Sequence, residues 1–164
     1  MKKESGLTLI EIIIYIAIVG LMSTALTMMM MNIMSLKSKT MVMQEVNSSL
    51  RLIVDKLNYE IKNAKSLNST TASSVTINTQ DSTRNTTIFA LNTGNIRMTV
   101  GSTIANLNSN LVNISAFTIT NLSSGDGKTA NINYVITGNY INPGGRSEFN
   151  YSATMEGSSE VRSK

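Results

Sequence analysis

The sequence predicts an α+β protein in which a long N-terminal helix packs on a C-terminal antiparallel β-sheet. Three observations predict it. Residues 7–36 carry a single charge, residues 37–65 show helical apolar periodicity, and residues 66–164 contain short β-branched runs separated by turn residues. We therefore expect a membrane-spanning first half of the helix, an amphipathic second half and a β-rich globular domain, preceded by a short basic segment at residues 1–6.

Composition excludes several function classes. The 164 residues include no Cys, His or Trp, which rules out disulfides, zinc sites built on His or Cys, and nucleophilic mechanisms that need an imidazole or a thiolate. Residues 66–164 carry six basic and five acidic side chains, so no phosphate-tracking surface is indicated despite the net charge of +4. We expect no cofactor, no metal and no enzymatic activity, and the charge distribution does not indicate a nucleic-acid partner.

The predicted membrane-spanning segment is the first element in the chain. Residues 7–36 contain Glu11 as their only charge, and about 20 apolar residues are enough to cross a bilayer. A removable secretory signal has an apolar core of about 7 to 15 residues, and only residues 23–25 offer a weak cleavage site. We expect a single-pass membrane segment, and the short N-terminal flank favours a cytoplasmic N terminus.

A helical stripe follows the span. Its apolar residues recur at steps of three and four: Val46, Leu50, Ile53, Leu57, Ile61 and Ala64. No Pro precedes Pro143, and no Gly lies between Gly20 and Gly94. Nothing in the sequence therefore ends the helix at the membrane surface, and we predict one helix over about residues 7–65 whose outer stripe packs on the sheet.

The remaining chain reads as strands and turns. β-Branched and aromatic residues cluster in six short runs: 75–77, 86–91, 96–100, 111–122, 131–137 and 149–154. The connections at 92–95, 124–127 and 142–145 are rich in Gly, Asn and Asp, which favours antiparallel hairpins.

Motifs that would indicate ligand chemistry are weak. Residues 125–129 read GDGKT, but a phosphate-binding loop needs Gly where the chain has Leu122, so a sheet turn is the simpler interpretation. Asp81 and Asp126 are too isolated for a calcium site, which needs several oxygen ligands together. A tethered hydrolase using a Ser with Lys65 or Lys128 as base has no supporting motif.

Glu11 admits two interpretations. Thr8-Leu9-Ile10-Glu11 fits a capping box, in which the carboxylate satisfies an amide at the start of a helix. That interpretation leaves the short basic leader, the Gly before the apolar run and the long helix unexplained.

The leader Lys2-Lys3-Glu4-Ser5-Gly6, followed by Leu7-Thr8-Leu9-Ile10-Glu11, resembles the type IV prepilin family of pilins and pseudopilins. The segment from Arg51 to Ala64 and the ending 148–154 look like minor pilins and pseudopilins of the PilW and GspJ kind. Many pilins close a C-terminal loop with a disulfide, which is impossible here, so residues 142–146 must be held by hydrogen bonds and packing.

The resemblance implies a processing site and a role for each of its residues. A prepilin peptidase would cleave between Gly6 and Leu7 and methylate the new amine of Leu7. Glu11 would then engage the N-terminal amine of a neighbouring subunit, a group with a pKa near 7.7 to 8 that is cationic at neutral pH.

The function that the resemblance implies is structural. We expect a minor pilin or pseudopilin of a type IV pilus, type II secretion or DNA-uptake filament, with other pilin subunits and an inner-membrane assembly platform as partners. The precursor would reside in the cytoplasmic membrane, and the filament would be periplasmic or on the cell surface. The alternative is a membrane-anchored β-rich binding or adhesion domain that never assembles.

Overall fold

The structure is a computed structural model that describes residues 8–81, 84, 86–124 and 130–161. Helix α1 spans Leu9–Lys62 and contributes to two compact units, Met1–Ser38 (the N-terminal unit) and Lys39–Lys164 (the globular unit). The long N-terminal helix is thereby confirmed, and the two antiparallel sheets described below confirm the α+β class.

Hydroxyl groups in the N-terminal unit bond to the helix itself. The Thr24 hydroxyl donates to the Leu21 carbonyl at 2.8 Å, and that of Thr27 donates to the Ser23 carbonyl at 2.8 Å. Such bonds back to the preceding turn satisfy a hydroxyl without a solvent partner, so these residues suit an apolar environment.

The globular unit contains two antiparallel sheets. The first is a five-stranded meander in chain order, and the second has three strands in the order β6-β7-β8. The bounds of the strands are β1 Ala64–Thr71, β2 Ser74–Thr79, β3 Thr86–Asn92, β4 Asn95–Val100, β5 Thr103–Asn106, β6 Val112–Asn121, β7 Asn131–Tyr140 and β8 Ser152–Glu160. A short 3₁₀ helix, Ser147–Phe149, lies between β7 and β8.

Hairpin tips of the first sheet meet the edge of the second. The N–H of Ile119 donates to the Ala72 carbonyl at 3.0 Å, and the N–H of Ile114 donates to the Gly94 carbonyl at 2.8 Å. Thr93 and Gly94 both have positive φ, 44° and 76°, as a two-residue hairpin turn of the primed type requires. The turn expected at residues 92–95 is therefore present, and it helps to join the two sheets.

The helical stripe packs into the core as expected. Its six predicted residues are buried in one cluster with both sheets: Val46, Leu50, Ile53, Leu57, Ile61 and Ala64. Burying a Val, Leu or Ile side chain stabilises the fold by about 1.5 to 3 kcal/mol, so the larger residues of this stripe contribute strongly to holding the helix on the sheets.

The structure corrects three details. Helix α1 ends at Lys62 rather than near residue 65, because the Asn63 side chain donates to the Tyr59 carbonyl at 2.9 Å and Ala64 already begins β1. The single sheet expected is two sheets, and β1 and β5 were not predicted. The last strand begins at Ser152 rather than at residue 149, where the short 3₁₀ helix ends.

Candidate functional site

Glu11 lies in the first turn of helix α1. The helix begins at Leu9, and the Thr8 carbonyl accepts hydrogen bonds from the N–H groups of Glu11 at 3.1 Å and Ile12 at 3.3 Å. A carboxylate at this place is favoured by the partial positive charge of the helix N terminus. The predicted processing residues Gly6 and Leu7 lie outside the described residues.

The capping-box interpretation requires two reciprocal bonds between Thr8 and Glu11, each from a backbone N–H to the other residue's side chain. Within residues 8–81, the Thr8 hydroxyl and the Glu11 carboxylate make neither bond, and Tyr15, one turn further on, makes none with Glu11 either. In the described part of the chain, local capping therefore does not engage the carboxylate.

The apolar surface around Glu11 is extensive. Every residue from 9 to 36 is exposed, with Leu9 75 % and Leu21 72 % accessible. By length and composition alone, α1 could cross a membrane, and its most apolar window is wholly unburied. Since exposed hydrocarbon costs about 25 cal/mol per Å² in water, this surface requires lipid or other apolar helices around it.

A tyrosine fixes the second sheet to the helix. Tyr134 of β7 is 2 % exposed, and its hydroxyl donates to Asn58 Oδ1 of α1 at 2.8 Å. Burial raises the pKa of Tyr134 above its ordinary value, and the nearby charge of Asp55 acts in the same direction. Its ring passes over Gly157 of β8, where an added Cβ would lie 2.6 Å from the ring's Cζ.

A buried carboxylate lies near the end of α1. Glu60 is 3 % exposed, and its Oε1 forms ion pairs with Lys56 Nζ at 3.0 Å and with Arg84 Nη2 at 3.2 Å. Sequence reasoning missed this cluster. The four-residue spacing of Lys56 and Glu60 could have suggested half of it, but the approach of Arg84 depends on the tertiary fold.

Asn108 organises the turn region between β5 and β6. Its Oδ1 accepts the Ile96 N–H at 3.0 Å, and its Nδ2 donates to the Val112 carbonyl at 2.6 Å and to Asn95 Oδ1 at 3.0 Å. Nothing in the sequence distinguished this residue from the other asparagines of the chain.

The C-terminal loop is held by hydrogen bonds, as expected. Asn142 Nδ2 donates to the Arg146 carbonyl at 2.8 Å and to Asn150 Oδ1 at 2.8 Å. Glu148 bonds to its own backbone N–H and pairs with Arg146, and these contacts lower the pKa of its carboxyl. The Arg146 guanidinium also lies 4.9 Å from the Phe149 ring centre.

The residues considered for other chemistry form no site in the described part of the chain. No group of three or more Asp or Glu residues able to hold a metal occurs there. Lys65 is exposed at the start of β1, and no hydrogen bond joins it to a described Ser hydroxyl. Residues 125–129, which include Asp126 and Lys128, lie outside the described residues.

Comparison with known proteins adds one finding. Residues 1–27 match the prokaryotic N-terminal methylation motif, so the match covers the basic leader, Glu11 and most of the apolar half of the helix. No curated protein and no solved structure matches the chain.

Proposed function

Because its first 27 residues give this chain a type IV prepilin-like N terminus, we propose that it is a minor pilin or pseudopilin, a structural subunit of a type IV pilus, type II secretion or DNA-uptake filament. A motif of this kind implies processing by a prepilin peptidase and assembly with other pilins. A membrane-anchored precursor fits both the motif and the apolar helix.

One observation carries the proposal: residues 9–36 of α1 form an exposed apolar segment with one carboxylate in its first turn. Lipid covers such a helix in the precursor, and neighbouring subunit helices replace the lipid in a filament. Cleavage after Gly6 would make Leu7 the N-terminal residue and create a cationic amine near the carboxylate of Glu11 in a neighbouring subunit. In surroundings poor in water, opposite charges attract strongly, and an unpaired Glu11 would be costly, so pairing fixes the axial register.

The role that we propose is structural rather than catalytic. The precursor resides in the cytoplasmic membrane, an inner-membrane assembly platform extracts it, and the globular unit faces outward on a periplasmic or cell-surface filament. The peptidase supplies the covalent chemistry, cleaving the Gly6–Leu7 bond and methylating the Leu7 amine.

The proposal is tested by the mass of the N-terminal peptide, measured separately in membranes and in sheared surface or periplasmic material. Wild type should begin at methylated Leu7 and occur in the sheared fraction. Gly6→Val should block cleavage and keep the chain in the membrane. Glu11→Val should be cleaved normally but depleted from the filament by about tenfold or more, the factor that corresponds to 1.4 kcal/mol.

Ile12→Val is the matched control, because it introduces the same side chain one position further along and leaves the carboxylate in place. It should be cleaved and assembled like wild type. If Glu11→Val assembled as well as Ile12→Val, Glu11 would have no part in assembly. A wild-type chain that still began at Met1 and stayed in membranes would instead identify a membrane-anchored binding domain.

A further inference from the structure

Strand edges in the two sheets differ in how they are protected. Exposed edges invite pairing with other chains, and proteins usually blunt them with bulges, short strands or covering loops. In the described part of the chain, β1 has two register shifts and β5 has four residues. The outer edge of β6 accommodates the hairpin tips at Ala72 and Gly94. These three edges are each protected by one of the usual devices.

Strand β8 forms the remaining edge, and its register shows which backbone groups face outward. Flanking bonds join the N–H of Tyr140 to the Tyr151 carbonyl at 3.0 Å and the N–H of Val161 to the Ala130 carbonyl at 2.9 Å. Because antiparallel bonding alternates along a strand, odd-numbered residues of β8 bond to β7. The even-numbered residues direct their N–H and C=O groups away from it: Ser152, Thr154, Glu156, Ser158 and Glu160.

Among the described residues, this edge has none of the three devices that protect the others, and its charged side chains, Glu156 and Glu160, disfavour pairing only with acidic segments. β8 runs for nine residues paired with β7 without a register shift, and it contains no Pro or Lys. Its even-numbered residues are all exposed, and no backbone bond to their outward N–H groups occurs among the described residues.

We propose that the outer edge of β8 binds an extended segment of a partner protein, which adds a fourth strand to the second sheet. Backbone hydrogen bonds to the five outward-facing residues supply affinity, as in other strand-addition complexes. The partner segment carries Lys or Arg on the face that it shares with Glu156 and Glu160, and apolar residues on the face that it shares with Ala153 and Met155. This inference holds whether or not the chain enters a filament.

Charge identifies the partner's chemistry. Glu156 and Glu160 lie on the same exposed face of β8, and β7 and β8 contain no basic residue. Asn133 Nδ2 donates to Glu156 Oε1 at 3.1 Å, which orients this carboxylate on the sheet face. Cross-strand pairs of opposite charge stabilise a sheet and like charges destabilise it, so a basic strand is preferred over a neutral or acidic one.

A second copy of β8 fits this edge poorly. Full antiparallel overlap of the two strands places Glu156 directly opposite Glu156 of the second copy, and like charges in that position are destabilising. Shifting the register by two residues avoids this contact but leaves one outward-facing residue unpaired in each strand.

The test uses the full-length chain in detergent micelles and a synthetic peptide, acetyl-VKVTVKVTV-amide, whose two Lys are four residues apart. Hydrogen exchange at the amides of Thr154, Glu156 and Ser158 should slow by at least about tenfold on binding, since these groups become paired. A peptide N-methylated at its Lys and Thr residues cannot donate to β8 and should have no effect. Replacing its Lys by Glu should weaken binding.

Two protein variants complete the test. Ser158→Pro removes one outward N–H but no bond to β7. Edge strands tolerate Pro at positions whose N–H faces away from the sheet, so this variant should fold but bind the peptide more weakly. Ser158→Ala keeps that N–H and should bind normally. Unchanged exchange at Ile136 of β7 would show that both variants remain folded.

Three results would overturn the inference. The N-methylated peptide could protect β8 as well as its parent does. The even-numbered amides could exchange as slowly as the odd-numbered ones in the free chain, which would mean that the edge is already covered. Protection that rises with protein concentration in the absence of peptide would identify a second copy as the occupant.

Discussion

Replacing Gly157 by Ala tests how helix α1, β7 and β8 interlock. An added Cβ would lie 2.6 Å from Cζ and 2.8 Å from Cε2 of Tyr134, closer than real Cβ contacts. The ring cannot simply withdraw, because its hydroxyl is bonded to Asn58 at 2.8 Å and Tyr134 is 2 % exposed. Either the ring moves and loses that bond, or β8 shifts away from the core.

The expected loss of stability follows from these two contributions. Overpacking a core costs about 1 to 3 kcal/mol, and losing a buried hydrogen bond costs about 0.5 to 1.5 kcal/mol. We therefore expect Gly157→Ala to lower the free energy of unfolding by about 1.5 to 4.5 kcal/mol. With a urea dependence of about 2 kcal/mol per M, the middle of the usual range, the unfolding midpoint should fall by roughly 1 to 2 M.

The assay is urea unfolding of the full-length chain in micelles, followed by the near-UV circular dichroism of its tyrosines. Gly144→Ala is the matched control, because its added Cβ would meet Arg146 Cγ at an ordinary 3.9 Å. In a Tyr134→Ala background, where the ring is absent, Gly157→Ala should cost far less. An equal cost in both backgrounds would refute the proposed clash, as would a loss below about 0.5 kcal/mol in wild type.

Three further predictions concern the globular unit. Asn108→Leu should destabilise it by about 1 to 3 kcal/mol, since buried backbone groups lose their partner; thermal unfolding checks this. Glu60→Gln should lower the free energy of unfolding by about 1 to 2 kcal/mol, because the cations of Lys56 and Arg84 lose their buried negative partner. The exposed control Glu160→Gln should change this free energy little, and urea unfolding compares the two variants. The pKa of Tyr134 is raised in the folded protein, so the contribution of its protonated hydroxyl to folding stability is complete below pH 10. That contribution is lost as the pH rises through the pKa that Tyr134 has in the folded state. Unfolding of Tyr134→Phe between pH 8 and 12 should lack that part of the pH dependence.

The helix and the fold class were predictable because they depend on local patterns. The stripe from Val46 to Ala64 fixes one apolar face of a helix, and no Gly or Pro interrupts it. The turn at residues 92–95 was equally readable, because Gly94 readily adopts the positive φ that a tight hairpin needs. Both features require only information from residues close in the chain.

Features that depend on distant contacts were not predictable. Strand β1 is polar, with the sequence AKSLNSTT, and its place in the sheet comes from pairing with β2 and from contacts such as Asn78 Nδ2 to Ser66 Oγ at 3.1 Å. The division into two sheets depends on where the hairpin tips meet β6. Composition gives no sign that Arg84 approaches Glu60 or that Asn108 satisfies several buried backbone groups.

Residues 6–36, which hold the predicted processing site and Glu11, show the opposite balance, since the sequence carries nearly all of the information about them. Gly6 and Leu7 remain predictions, and the structure adds the exposure of the helix and the position of Glu11 in its first turn. One helix thus meets two requirements: residues 42–61 bury a stripe against the two sheets, while residues 9–36 expose apolar side chains all round. A uniformly apolar surface specifies burial but not register, because one apolar contact can replace another at little cost. In the filament that we propose, pairing of one carboxylate with the amine of a neighbouring subunit would supply the missing specificity, and this is the role that we propose for Glu11 in a segment where a charge is otherwise unfavourable.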